Sequence, residues 1–341
     1  MTATEFAAES EISLAGRLAG EPVLRMARIG GGRNSRVFRV ETADRVFALK
    51  QYPSLADDPR DRLGVETNAL RWMAKNRLDM VPRVIATDAA YNSALLSWAE
   101  GSLVRDVVAS DVDQAVYFLA ALDVSPGTLD FPADHLAAEA CLSGAEIERQ
   151  LRKRVAQLDG LKDEPDLQAF LAREFAGALE DRLATARTTL SSAGLAFERE
   201  LQPAQRSLVP SDFGFHNALR DAAGRLIFID FEYFGWDDPA KLTADTLLHP
   251  GTPVATELRS RFRLAAGRLY GRDPDFAARL AAFYPLFGLR WVLILLNEFH
   301  PERWRRRVLA GASESWAEAK IHQLDAARAM LVSSRMLGRL E

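Results

Sequence analysis

Three oxygen-bearing side chains near the middle of the chain have the types and spacing of a phosphate-handling site. In Pro210-Ser211-Asp212-Phe213-Gly214-Phe215-His216-Asn217, Asp212 and Asn217 are five residues apart, and Asp230 follows thirteen residues later, closing the apolar run RLIFIDF. Mg²⁺ prefers oxygen ligands and is usually held by one or two side chains plus phosphate oxygens, so Asn217 and Asp230 could share a cation. Asp212 would then be free to orient or deprotonate a hydroxyl. Asp and Asn also crowd into loops because they make turns, and the D-x4-N pair alone does not choose between the two readings. Asp230, in Ile-Asp-Phe-Glu at a strand end, favours the metal.

The first third of the chain carries what a phosphate donor would need. The turn Gly30-Gly31-Gly32-Arg33-Asn34-Ser35 exposes backbone N–H groups without side-chain obstruction, and Asn34 and Ser35 add polar contacts. A bare glycine run is also simply a flexible turn. Lys50 lies in Phe-Ala-Leu-Lys and is one of only six lysines in the chain, which makes filler a poor explanation for it. Glu66, sixteen residues on, could hold Lys50 extended as an ion pair, or be a solvated helix residue.

The elements that must position these groups can be read from the pattern. Leu24–Ile29, Arg36–Glu41 and Val46–Tyr52 read as strands, the last two joined by a polar hairpin turn. Asp61–Lys75 places Leu63, Thr67, Leu70 and Met73 at helical spacing, with Glu66 beside that stripe. Strand signals return at Val84–Ala86 and Ser93–Trp98, so a small sheet with one helix ends near residue 100. Beyond it the chain is helix-rich: Asp111–Leu122, a long charged pattern from Ala137 to about Leu190, and three segments between Thr256 and Leu337. One β-like island interrupts it, at Leu208–Asp212 and Arg225–Phe231.

Composition bounds the function. With 341 residues, 48% hydrophobic and 26% charged, the chain is long enough for two core-forming units around a cleft. A net charge of −4 argues against a dedicated nucleic-acid binder. Cys141 is the single cysteine, so no intrachain disulfide can form, and it reads as a small buried hydrophobe. The acidic N-terminus does not resemble a secretory signal, and a cytoplasmic protein is expected. Ala281–Phe299 is apolar but interrupted by Pro285, Arg290 and Glu298, which predicts a buried helix and no membrane span.

In order and approximate spacing, GGGRNSRVFRV, FALK, Glu66, SDFGFHN and IDFEYFGWDDP resemble the aminoglycoside phosphotransferase and choline kinase family, over about Arg28 to Leu248. The resemblance implies an α+β, protein-kinase-like, two-lobed fold. A small antiparallel-sheet lobe, residues 1–100, would bind nucleotide, and a larger, mainly helical lobe, residues 101–341, would carry the catalytic loop (208–248) and the acceptor-binding helices. It also implies ATP and Mg²⁺ as cofactors, Asp212 as the catalytic-loop acid, and Asn217 and Asp230 as metal ligands. Lys50 would touch the α- and β-phosphates and Glu66 would position it. The turn carrying Gly30, Gly31, Gly32, Asn34 and Ser35 would cover the triphosphate, and adenine would meet backbone near Ser97 and Trp98.

Two departures stand out. Pro210 occupies the place where the family usually has His, so some other group must brace the loop, and Gly-Phe-His-Asn replaces the usual His-Pro-Gly-Asn. Only Tyr233–Asp237 separate Glu232 from Asp238-Pro239, which leaves little room for the peptide platform of a protein kinase. The expected activity is therefore phosphorylation of a hydroxyl on a small molecule. A sugar or polyol is favoured over a cationic acceptor, because the C-terminal helices show no acidic surplus. The alternative is a nucleotide-binding pseudokinase that regulates a partner. His216 could touch acceptor or phosphate, or brace the loop. His249 is expected to be structural, Trp236 a core or cleft wall, and the run Glu302–Arg307 a solvated face.

Overall fold

In the computed structural model the residues described are 3–29, 35–53, 58, 60–124, 130–251, 254–309 and 314–335. The chain opens with helix α1 (Ala3–Ala19), which the sequence reading did not assign, and then runs through β1 (Arg25–Ile29), β2 (Arg36–Glu41) and β3 (Val46–Gln51). After α2 (Arg62–Lys75) come β4 (Val84–Asp88) and β5 (Ser93–Ser97). The five strands form one antiparallel sheet in the order β1-β2-β3-β5-β4.

Strand alternation sorts the two faces of this sheet. Phe38, Val40, Phe47, Leu49 and Leu95 point to one side and pack with Ala15 and Ala19 of α1 as a small separate core. Ala48, Ala94 and Leu96 point to the other side, where they join the main core. Lys50 alternates with Leu49, so it too faces inward, towards α2. Helix α2 begins at an Asp61 cap, whose carboxylate accepts the Gly64 N–H at 2.8 Å. Its Leu63, Leu70, Trp72 and Met73 also enter the main core, which ties the helix to both lobes.

The larger lobe begins with β6 (Ser102–Leu103) and α3 (Ala109–Leu122), followed by α4 (Gly144–Asp159), α5 (Pro165–Phe170) and α6 (Ala176–Ser192), with a π-turn joining α5 to α6. Four short strands come next: β7 (Ser207–Val209), β8 (Ala218–Arg220), β9 (Leu226–Phe228) and β10 (Gly235–Asp237). They build the sheets β6-β8-β9 and β7-β10. The remainder is α7 (Pro239–Leu248), α8 (Thr256–Leu269), α9 (Phe276–Leu295), α10 (Pro301–Leu309) and α11 (Trp316–Ser333). This is the two-lobed, protein-kinase-like architecture that the motif order implied.

Several details correct the sequence expectations. Ala137–Leu190 is not one helical stretch. Ala137 donates to Trp236 O at 3.0 Å and Ala138 to Tyr233 O at 3.1 Å, so this apolar run lies along β10, and helix resumes only after the Ser143 cap. Among the described residues four helices, not three, occupy the C-terminal region. Helix α7 was missed although its start is marked in the sequence: Asp238 caps it through Ala240 N at 2.8 Å, and Pro239 sits at its first position. Helix α9 and its 3-10 continuation (Leu296–Phe299) are long and apolar enough by composition to cross a membrane, but 72% of the most apolar window is buried among α4, α6, α7 and α11.

Candidate active site

Lys50 is the cation at the centre of the cleft. Its Nζ donates to Glu66 Oε2 at 2.6 Å and to Asp230 Oδ1 at 2.7 Å, and Glu232 Oε2 lies 3.7 Å away. Burial works against the ammonium, but Asp230, Glu66, Tyr52 and Glu232 outweigh it and hold the Lys50 pKa well above its ordinary value. Glu66 also accepts from Tyr52 Oη at 2.8 Å and from the Phe231 N–H at 3.3 Å, the residue after Asp230. One carboxylate thus ties β3, α2 and the Asp230 turn together. Burial pushes its own pKa up, with Lys50 opposing. Glu66, Asp230 and Glu232 offer clustered oxygens, but Lys50 already lies among them, so this acidic cluster is compensated from within.

Asn217 joins the other two motif residues. Its Nδ2 donates to the Asp212 main-chain carbonyl at 3.0 Å, and its own carbonyl accepts from Ile229 N at 2.9 Å, one residue before Asp230. The first bond fixes the amide so that Oδ1 is the end left for a cation. Asp230 keeps its side chain one-third exposed and adopts φ 71°, a left-handed conformation that Asp tolerates better than most residues. One amide oxygen and one accessible carboxylate on facing loops fit a hard cation of the Mg²⁺ type, which takes its remaining ligands from phosphate and water.

Asp212 stands beside two imidazoles. Its Oδ1 lies 3.3 Å from His216 Nε2 and 3.4 Å from His249 Nε2, and the two rings stack at 3.6 Å with parallel planes. His249 Nδ1 accepts the Gly251 N–H at 2.9 Å, which leaves the proton of the neutral ring on Nε2, facing Asp212. Partial burial opposes ionisation of Asp212, but the two imidazoles outweigh it and hold the carboxyl well below the usual range. Burial, with His216 alongside, lowers the His249 pKa despite Asp212. Both rings face Oδ1. His249, expected to be structural, stands with its ring against the Asp212 carboxylate, 37 residues away in sequence.

The brace missing at Pro210 is supplied by the next residue. Ser211, at φ 68°, donates from Oγ to Ala138 O at 3.3 Å and accepts from Lys241 Nζ at 3.5 Å. Lys241 is fully buried between Asp237 (2.9 Å) and Asp245 (3.5 Å), and Asp237 in turn accepts the Cys141 N–H at 2.8 Å. The spacing Lys241-x3-Asp245 was a readable signal, since residues four apart share a helix face, and Asp237 reaches Lys241 from the end of β10. Glu232, unassigned from sequence, pairs with buried Arg62 of α2 and accepts Ser35 Oγ at 3.0 Å.

The remaining candidates divide. Ser35 is thus held over the cleft, whereas Gly30, Gly31, Gly32 and Asn34 lie outside the described residues. Ser97 has its N–H given to Arg83 O (2.8 Å) and its Oγ accepting from Arg83 N (2.9 Å), which leaves its amide no donor for a base. Trp98, just past β5, keeps its indole N–H buried without a partner among the described residues, under the Arg39 guanidinium at 5.2 Å. Trp236 is buried in the core and donates to Pro132 O. In the run Glu302–Arg307, Arg307 pairs with Glu298 and Glu314.

A buried Lys–Glu pair from strand and helix, facing an Asp-x4-Asn loop and a strand-end Asp across a cleft, defines a phosphotransferase of protein-kinase-like fold. The chain belongs to the phosphotransferase enzyme family, whose model matches residues 25–281. Among curated proteins none matches it. Similar solved structures include the choline kinase LicA from Streptococcus pneumoniae (TM-score 0.59, 15% identity, covering 97% of this chain and 100% of that one). A choline kinase from Cryptosporidium parvum Iowa II gives TM-score 0.59 at 11% identity, covering 91% of this chain and 89% of that one. ADP-bound aminoglycoside phosphotransferase APH(2'')-Ib gives TM-score 0.58 at 14% identity, covering 96% of this chain and 99% of that one. At these identities the likeness is one of fold.

Proposed function

We propose that the protein is an ATP- and Mg²⁺-dependent kinase that phosphorylates a hydroxyl group of a small molecule of the sugar or polyol kind. The observation that carries this reading is the convergence of Lys50, Glu66 and Asp230 by direct hydrogen bonds, with Asn217 linking the Asp230 turn to the Asp212 loop. Phosphoryl transfer asks the protein mainly for positioning and charge neutralisation, and this set provides both. An ADP-bound member among the similar structures agrees with nucleotide use.

In this reading Lys50, held out by Glu66, donates to the α- and β-phosphates, and Ser35 closes the turn over them. Adenine meets the backbone just beyond Ser97, from Trp98 onwards. Asn217 Oδ1 and Asp230 hold Mg²⁺, which when bound neutralises the phosphate oxygens. Asp212 Oδ2 accepts a hydrogen bond from the acceptor hydroxyl and so aims its oxygen at the γ-phosphorus. The new O–P bond forms as the bond to the β,γ-bridging oxygen breaks, ADP leaves, and the hydroxyl proton passes to Asp212. A carboxylate with so low a pKa is a weak base, so its main contribution is orientation, with proton transfer late.

The test is ADP release by the full chain with Mg·ATP against a panel of alcohols, beside the Asp212→Asn variant. Acceptor-dependent ADP release that the variant loses supports the reading. A protein that binds Mg·ATP yet phosphorylates nothing in a broad panel is instead the nucleotide-binding regulator.

A further inference from the structure

The kinase reading leaves a cavity beside the catalytic loop without an assigned occupant. It measures about 220 Å³, well above the roughly 10–15 Å³ that one water needs by the same measure. It lies between the C-terminal end of α7, α8 and α11. Leu247, Leu248, Val254 and Met330 give it apolar walls, while His249 and Arg259 supply its ionisable groups. His249 connects it to the chemistry, because the ring that walls the cavity has its Nε2 3.4 Å from Asp212 Oδ1.

Arg259 is the unusual wall. Its Nη2 donates to Tyr284 Oη at 3.2 Å, which steadies the guanidinium, but its buried Nε has no partner among the described residues, and no carboxylate there pairs with it. Arg263, one helical turn on, has a buried Nε in the same condition. Arg261, between them on the outer side of α8, is satisfied by Asp113 at 2.7 Å. A buried guanidinium N–H without an acceptor is costly, and an anion is the group that relieves it best. An ammonium-bearing acceptor would meet uncompensated positive charge instead.

We propose that this cavity is the acceptor subsite and that the acceptor is a small hydroxylated organic anion, a carboxylate or phosphate monoester, whose acid group is held by Arg259 while its hydroxyl reaches Asp212. The proposal rests on the kinase reading and narrows it from sugars and polyols to their acidic derivatives. The anion is bound, not consumed: the transfer remains hydroxyl oxygen to γ-phosphorus, with ADP leaving.

The full chain, saturated with Mg²⁺ and a non-hydrolysable ATP analogue, is titrated calorimetrically with D-glycerate, gluconate, glycerol 3-phosphate, glycerol and choline, and ADP release from Mg·ATP is followed with each. The first two probes separate carboxylate from phosphate recognition by the third. At least one anionic class should bind about tenfold or more tighter than glycerol and choline. Arg259→Met should lose about tenfold or more of that affinity and of kcat/KM, the range for a hydrogen bond to a charged group. Arg259→Lys should recover part, and both variants should keep the wild-type Mg·nucleotide melting shift. Failure of every anionic probe to bind, equal binding of glycerol or choline, or an unaffected Arg259→Met would overturn the assignment with the kinase reading intact. Absence of any Mg·nucleotide shift in the wild type would overturn both.

Discussion

Asn217 donates its side-chain N–H to the main-chain carbonyl of Asp212 at 3.0 Å, and this bond decides which end of the amide faces the cleft. It makes the proposed metal-ligand position and the proposed acceptor-orienting position parts of one loop. Asn217→Asp would keep an oxygen but lose that donor. We expect it to lower kcat by about 10²-fold or more, the range for removing one preorganised electrostatic contact, and to raise the Mg²⁺ concentration needed for half-maximal rate. Steady-state rates across a Mg²⁺ titration check this; an unchanged Mg²⁺ dependence counts against Asn217 as a ligand.

Lys50 and Glu66 act as one unit. Lys50→Met removes the ammonium that lies among Glu66, Asp230 and Glu232, so its effect must depend on whether Glu66 is present. A double-mutant cycle on kcat/KM with Glu66→Gln should show about 0.5–3 kcal/mol of coupling, and strict additivity would refute the pair. The raised Lys50 pKa adds stability that is fully present below about pH 10.4 and lost only as pH rises through the folded value.

His249 puts an acid-side slope on stability. His249 has a lowered pKa in the fold, so the unfolded chain takes up its proton first, near pH 6.5, and stability falls as pH drops below that point. Melting temperature should decline between pH 7 and pH 5, and His249→Gln should flatten that decline. The depressed Asp212 carboxyl gives its stabilisation above about pH 4 and loses it in more acid solution. Thermal melts of both proteins across this range test the assignment, which fails if the slopes coincide.

The loop brace has its own signature. Lys241→Met leaves Asp237 and Asp245 buried without their lysine, although Arg290 still reaches Asp245 at 3.0 Å, and should cost about 3–5 kcal/mol. Pro210→Ala should cost about 0.4–1 kcal/mol through the unfolded chain and spare kcat. Denaturant unfolding beside kcat measurements separates the two. A folded Pro210→Ala protein without turnover would show that Pro210, not Ser211, holds the loop.

Short-range pattern made the nucleotide half of the site readable. Lys50 faces inward because strands alternate, Glu66 lies on a recognisable helix, and Asp212, Asn217 and Asp230 stand out by their place in the motifs that resemble the family's. What the sequence hid depends on contacts between distant segments. His249 looks like an ordinary residue before a Pro-Gly turn until it meets Asp212, and Arg259 like surface charge until its Nε is found buried. Ser211 shows its role only through Ala138 and Lys241. Ala137–Leu142 kept a helix-compatible composition but was claimed by the edge of β10, a case of tertiary pairing overriding local preference.

The central claim is that Asp230 and Asn217 hold the Mg²⁺ of an ATP complex whose γ-phosphate goes to a hydroxyl aimed by Asp212. Its most direct test is the melting temperature of wild type and Asp230→Asn with ATP, in the presence and absence of Mg²⁺. Asn keeps the side-chain size and tolerates the left-handed φ of 71°, so the fold should survive. At a hundred times Kd, Mg·ATP should stabilise the wild type by about 2.7 kcal/mol, and the Mg²⁺-dependent part should disappear in the variant along with turnover. An equal Mg²⁺-dependent shift in both proteins, with turnover retained by Asp230→Asn, would contradict the account.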